Sequence, residues 1–275
     1  MNPPESPNPK NQSETTSLMC VNDGVLSENY GLGTTRKWDI FLYQANGGQL
    51  SFAGNVTSKI QYSVRNPSWM PDGCSFVAQI LLSDKWQIAV INIDGTIQKI
   101  LHTDFAAIQP EAVAADLVMF VRESDKQMFF WDPAMDLMSE IPGAVGQMPN
   151  SAIYDGFPVY AYQGLDRNLV IREADGRINK YAQYCAYPEW LPRATGVVCH
   201  TTQHETVTVS YPGGEVMSTN YQDLASTAID PLDQANRFVT WGFDAYQSNA
   251  LVMKNLEAPM VTGAGSDWID LGGTR

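Results

Sequence analysis

Three histidines, His102, His200 and His204, are the only imidazoles in the 275 residues. Two of them fall in the run Cys199-His200-Thr201-Thr202-Gln203-His204, where nucleophile, base and metal-ligand types crowd together. On one strand, His200 and His204 face the same way. Four steps of ~3.3 Å hold them about 13 Å apart, too far to share a metal. Cys199 and His200 are strand neighbours, so they point to opposite faces and cannot pair as nucleophile and base. A second set is aromatic. Tyr181, Tyr184, Tyr187 and Trp190 recur every three residues, and Tyr154, Phe157, Tyr160 and Tyr162 precede them. Exposed rings of this kind stack on sugars or anchor a protein partner; buried ones wedge between packed sheets. Tyr184, Tyr187, His200 and His204 are therefore the candidate ligand-binding residues.

The remaining chemistry is sparse. The carboxylate pairs Asp230 and Asp233, Glu123 and Asp125, and Asp267 and Asp270 sit near expected turns, where Asp accepts bonds from its own backbone. Acid–base work needs two carboxylates facing each other across a pocket. The chain has no Gly-x-Ser-x-Gly elbow, phosphate-binding P-loop, His-Glu-x-x-His or EF-hand loop. Gly31-Leu32-Gly33 lacks a third glycine and a following helix, and reads as a loop. Catalytic residues are thus unassigned, and no cofactor or metal is implied. The four cysteines, Cys20, Cys74, Cys185 and Cys199, have no C-x-x-C spacing. Cys185 and Cys199 flank one stretch and could be bridged, but the scatter favours free buried thiols.

Charge excludes some partners. Thirty acidic residues against 17 basic ones give −13, which repels nucleic acid and anionic membrane surfaces. No apolar run reaches the ~20 residues that span a bilayer. Residues 1–17, rich in Pro, Asn, Ser and Glu, are expected to be a disordered leader. Such a leader resembles the tether of a bacterial lipoprotein; the alternative is the loose terminus of a cytoplasmic protein.

What positions the candidates is a repeat. One anchor reads Pro67-Ser68-Trp69-Met70-Pro71-Asp72-Gly73, another Pro188-Glu189-Trp190-Leu191-Pro192, a third Ser266-Asp267-Trp268-Ile269. Weaker copies start at Pro110, Pro149 and Thr227, so successive starts are 43, 39, 39, 39 and 39 residues apart. After each anchor comes a short apolar strand (Phe76–Ala78, Val118–Val121, Val159–Ala161, Val197–Cys199, Phe238–Thr240), then a second one after a polar gap. Asp94-Gly95, Asp175-Gly176 and Pro212-Gly213-Gly214 supply hairpin turns. No stretch keeps a 3.6-residue apolar period, so helices should be minor. A four-stranded meander repeated every ~40 residues is a propeller blade. Six anchors predict an all-β, six-bladed β-propeller over residues 18–275, its two ends meeting to close the ring, with the first strand near Leu18–Asn22. The anchors are read as turns, with Trp69, Trp190 and Trp268 packed between blades.

At these anchors the chain resembles the TolB-like propellers of the PD40 repeat type. Their Pro-x-Trp-x-Pro-Asp-Gly signature is matched by Pro67, Trp69, Asp72 and Gly73, and in part by Pro188 with Trp190 and by Trp268. The resemblance implies a bacterial envelope protein, in the periplasm or tethered to the outer membrane. It implies no activity, because a fold hosts many functions. The function expected is a non-catalytic recognition or scaffold propeller binding an envelope protein or a glycan. The alternative is a carbohydrate-active enzyme, a glycoside hydrolase or polysaccharide lyase, working at the channel mouth. Three or more ionisable side chains converging at one end of the channel would mark such a pocket.

Overall fold

A computed structural model describes residues 24–30, 37–46, 49–191, 194–201, 205–222, 224–229, 237–242, 252–255 and 264–269. The leader, the stretch expected to hold the first strand, Gly31–Gly33, His204, Asp230 and Asp233 lie outside them.

Each apolar run of the repeat becomes a strand. β1 (Gly24–Tyr30), β2 (Trp38–Asn46) and β3 (Gln49–Asn55) form one meander. A second contains β4 (Val64–Trp69), β5 (Ser75–Leu82), β6 (Lys85–Asn92) and β7 (Ile97–Leu101). β8 (Ala107–Ala114), β9 (Leu117–Arg122), β10 (Gln127–Asp132), β11 (Leu137–Tyr154), β12 (Phe157–Gly164), β13 (Asn168–Arg172) and β14 (Ile178–Tyr184) join in one seven-stranded sheet. The 18-residue β11 explains that length. Its start pairs with β10 through Leu137–Glu140, and its end pairs with β12 through Gly146–Tyr154, so it closes one meander and opens the next. β15 (Ala186–Trp190), β16 (Gly196–His200), β17 (Glu205–Ser210) and β18 (Val216–Gln222) follow. Then come β19 (Leu224–Ile229), β20 (Arg237–Gly242) and β21 (Val252–Asn255). The last strand, β22 (Ala264–Ile269), pairs antiparallel with β1 and completes the first sheet. The first and last described strands meet, as a closed ring requires. The first strands touch in the cyclic order β4, β8, β11, β15, β19, β22 and back to β4. That arrangement is a propeller.

The core lies between sheets. On β5, Phe76, Ala78 and Ile80 face back to Leu26, Ile40 and Leu42, while Val77 faces forward to Val118, Phe120 and Trp131. Period-two alternation with both faces buried gives the continuous apolar run. Met119, Val121 and Met128 then meet Tyr160, Tyr162 and Val170, and Val159, Leu169 and Ile171 meet Trp190, Val197 and Val209. Trp69 and Trp190 are 6% and 5% exposed and sit in these layers; the Trp268 side chain lies outside the described residues.

Turn chemistry repeats as well. Asp72, Asp94, Asp125, Asp132, Asp166 and Asp175 each accept the backbone N–H two residues on, at 2.8–3.2 Å. Gly73 and Gly95 follow two of them with φ of 62° and 86°. A Cβ on Gly95 would meet the Val56 carbonyl oxygen at 2.4 Å, so that turn also packs on the preceding sheet.

Two expectations change. Pro67–Trp69 and Pro188–Trp190 are not turns but the ends of the first strands β4 and β15; the turn begins only after Met70. The Cys185–Cys199 pair is not a pair of free thiols. The two are bridged, both fully buried, with Cα atoms 4.7 Å apart, a distance that the pairing of Ala186 with His200 sets up. Cys74 is also disulfide-bonded.

Candidate functional site

The anchor prolines mark a backbone irregularity facing the ring of first strands. In β4, β8, β11 and β15 the register slips between Arg65 and Ser68, Ile108 and Glu111, Gln147 and Asn150, and Ala186 and Glu189. Each slip is a β-bulge. Each contains one residue in the left-handed region just before a proline: Asn66 (φ 49°), Gln109 (51°), Met148 (56°) and Tyr187 (48°). Proline disfavours the right-handed helical region for its predecessor and donates no ladder bond, so the bulge has a local cause. Non-glycine residues seldom take positive φ, and repeated outliers of this kind point to a constraint or a site.

The bulged N–H groups are each taken up by the preceding sheet. Asn66 N–H donates to Glu28 Oε2. Gln109 N–H donates to Gln79 Oε1 at 2.8 Å, and Met148 N–H to Gln109 Oε1 at 2.8 Å. Tyr187 N–H donates to Met148 Sδ at 3.3 Å. Just past each proline a second latch follows. Ser68 Oγ accepts from Ala112 N–H at 3.0 Å, Glu111 Oε1 from Ser151 N–H at 2.8 Å, and Asn150 Oδ1 from Trp190 N–H at 2.9 Å. Glu111 also accepts from the hydroxyls of Ser68 (3.0 Å) and Ser151 (2.7 Å). Among the described residues, two lines of polar latches thus run from sheet to sheet, as far as the sheet of β15.

Charged and aromatic groups converge on the upstream line. Glu28 comes from β1 and Arg65 from β4; Tyr187 comes from β15, opposite β4 in the cyclic order. Burial pushes the Glu28 carboxyl above the usual carboxylate range, opposed by the Asn66 N–H and the Arg65 charge. Burial also pushes the Tyr187 phenol up, followed by the charge of Glu28 and then Tyr184, with Arg65 opposing. The charges of Glu28, Tyr184 and Arg65 thus all act on Tyr187. Tyr187 is 46% exposed, and its ring stands edge-on to His200 at 6.4 Å. His200 is buried and ends β16.

Of the four candidate ligand-binding residues, Tyr187 and His200 meet as rings and the charge of Tyr184 acts on Tyr187. The other aromatics divide. Tyr160, Tyr162 and Trp190 are buried, and Tyr211 packs edge-on against both Tyr154 and Trp190. Phe157 is exposed, apart from the cluster. Sequence reading missed Glu28, Arg65 and Gln79. Gln79 has a signal, a lone amide inside the apolar run of β5; Glu28 and Arg65 sit in strands of mixed polarity, GVLSENY and VRNPSW, where they do not stand out. Among the described residues no three His, Cys, Asp or Glu side chains group as metal ligands.

No family model and no curated protein matches the chain. Solved structures do. The chain is similar to TolB from Acinetobacter baumannii at 11% identity and a TM-score of 0.63, covering 90% of this chain and 66% of that one. It therefore spans just under two thirds of the TolB chain. It is similar to an oligogalacturonate lyase in complex with manganese at 13% identity and a TM-score of 0.54, covering 80% and 69%. It is also similar to a chain of a nidogen/laminin complex at 10% identity and a TM-score of 0.65, covering 90% and 98%. These likenesses establish a β-propeller fold.

Proposed function

We propose that this chain is a non-catalytic recognition propeller of the bacterial cell envelope, with its ligand site at the axis end formed by Glu28, Arg65, Tyr184, Tyr187 and His200. The observation that carries the reading is the half-exposed Tyr187 ring held within electrostatic reach of Glu28 and Arg65 from the opposite side of the ring. An aromatic face next to fixed charges is how binding sites combine affinity with orientation. The disulfide at Cys185–Cys199 and the bonded Cys74 favour an oxidising compartment, hence the periplasm or an outer-membrane tether through the leader. Of the similar folds, one is TolB and one comes from a nidogen/laminin complex, a protein–protein assembly. The PD40 repeat type and the count of six blades belong to the same proposal.

Thermal melting with oligosaccharides and cell-wall fragments tests it, using wild type and Tyr187→Ala. A ligand at 100 times its Kd adds about 2.7 kcal/mol, a readable rise in Tm. A rise in wild type that disappears in Tyr187→Ala supports the site. A rise of equal size in the variant places the ligand elsewhere and overturns it.

The enzyme reading has one observation in its favour. Burial pushes Glu28 up, and its charge acts on Tyr187, whose ring stands edge-on to His200. A carboxyl with a raised pKa is a general-acid candidate, and one similar fold is a lyase. Release of new sugar ends from any oligosaccharide, abolished by Glu28→Gln, would replace the recognition reading.

A further inference from the structure

Arg65 differs from the other arginines that make hydrogen bonds or ion pairs here. Arg122 grips Asp125 through two bonds of 2.8 and 2.7 Å, Arg172 donates to the Pro142 carbonyl at 2.9 Å, and Arg177 pairs with Glu173. Arg65 instead sits over the Trp86 ring, its Cζ 4.2 Å from the centroid. Its Nε is buried and meets no acceptor among the described residues. Directly across the ladder from Arg65 is Gln79, which is fully buried, and Gln79 Nε2 likewise meets no acceptor. Cross-strand partners present their side chains on the same face. Two unaccepted donors therefore stand side by side. Buried donors without acceptors are costly and rare in native proteins. The Gln79 oxygen is already used by Asn66 Nδ2 and Gln109 N–H, so its amide is fixed with the nitrogen left over.

A planar guanidinium with uncommitted N–H groups matches a carboxylate, which it binds through two parallel bonds. Glu28 offers no competing partner. One of its oxygens accepts the Asn66 N–H, and no ion pair joins it to Arg65. Across the axis, the half-exposed Tyr187 ring gives a flat surface for the C–H face of a pyranose. We propose that the Arg65 guanidinium, beside Gln79, anchors the carboxylate of an acidic sugar whose ring lies against Tyr187. This rests on the axis site of the proposed function and names its ligand class.

The test is calorimetric titration with a cellouronate oligomer and with the neutral cello-oligomer of the same length. Wild type is expected to bind the acid and to bind the neutral sugar at least about tenfold more weakly. Arg65→Gln is expected to lose about 10- to 100-fold in affinity for the acid. Arg65→Lys, which keeps the charge without the fork, is expected to fall between. Gln79→Glu guards against a misfolded Arg65 variant. It keeps the acceptor for Asn66 and Gln109, places a carboxylate beside Arg65, and is expected to raise Tm while abolishing acid binding. Equal affinity for acid and neutral sugars overturns the carboxylate assignment, and so does acid binding that is unchanged in Arg65→Gln and Gln79→Glu. If neither sugar binds but a peptide with a free C-terminal carboxylate does, and that binding depends on Arg65, the sugar assignment falls and the axis site stands. If sugars and peptide alike fail to bind, both readings fall.

Discussion

Between the second and third meanders, Val77, Ile88 and Val90 meet Val118, Phe120 and Trp131 in an apolar layer. Toward the axis, the same two meanders are joined by Ser68, Glu111 and the Ala112 N–H. The first contact is non-directional and scales with the area removed from water. The second works only when donor and acceptor meet within hydrogen-bonding geometry. The layer therefore supplies most of the stability. The latch fixes which strand residue faces which, and so the angle at which one sheet follows another. It also consumes the N–H groups that the bulges release, and Arg65 and Gln79 stand out at the axis because their donors are not consumed.

That division is open to test. Trp131→Ala removes the large ring from the apolar layer and is expected to cost about 3–5 kcal/mol in urea unfolding, as is Trp190→Ala in the equivalent layer with Val159, Leu169 and Ile171; a loss below 1 kcal/mol would mean the layer is not where stability resides. Replacing Cys185 and Cys199 together by Ser opens a loop with a sequence separation of 14. The expected cost is about 3 kcal/mol, with a drop in Tm at least as large on adding reductant to wild type, which also opens the bridge of Cys74. Glu111→Ala strands the Ser151 N–H and is expected to cost about 1–3 kcal/mol. Glu111→Gln, whose amide oxygen still accepts, should cost less. A Glu111→Ala penalty above that of Trp131→Ala would invert the comparison. The smallest effect lies on the exposed rim. Arg122, through its hydrogen bonds first and then with the Gln127 N–H, holds the Asp125 carboxyl down at about 2. A depressed carboxyl stabilises the fold above the ordinary carboxylate range, and that contribution is lost as pH falls through about 2. Carboxyl NMR titration should find this low midpoint, and Arg122→Ala should return it toward the ordinary range.

The sheet faces were legible in the sequence because every residue on them obeys the same rule. Runs such as Phe76–Ile80 and Val118–Val121 alternate between two buried faces, and a spacing near 39 shows that the runs repeat. The polar latches were not legible, for a physical reason. The same position is filled by Asn66, Gln109, Met148 and Tyr187, and the N–H at this position is accepted by a carboxylate, an amide oxygen or a thioether. What the position needs is an acceptor reaching from the preceding sheet, not one residue type, so identity is not repeated even though geometry is. Prolines 67, 110, 149 and 188 were visible, but without the bulge they read as turns. The disulfide was missed because 14 residues of sequence say nothing about a strand pairing that brings the two cysteines opposite each other. Of the site, Tyr184, Tyr187 and His200 stood out as a dense cluster, whereas Glu28 and Arg65 reach it from more than 100 residues away.

The pairing of β22 with β1 makes the first and last described strands neighbours within one sheet. A ring closed in this way has no privileged starting point. Joining the ends and cutting at an exposed link between meanders, such as the turn after β7, would give a circularly permuted protein with the same set of strand neighbours. Removing β22 has the opposite result. It bares the hydrogen-bonding edge of β1, and the nearest match for that edge is the β22 of another copy, so chains able to exchange this strand would link into dimers or longer chains.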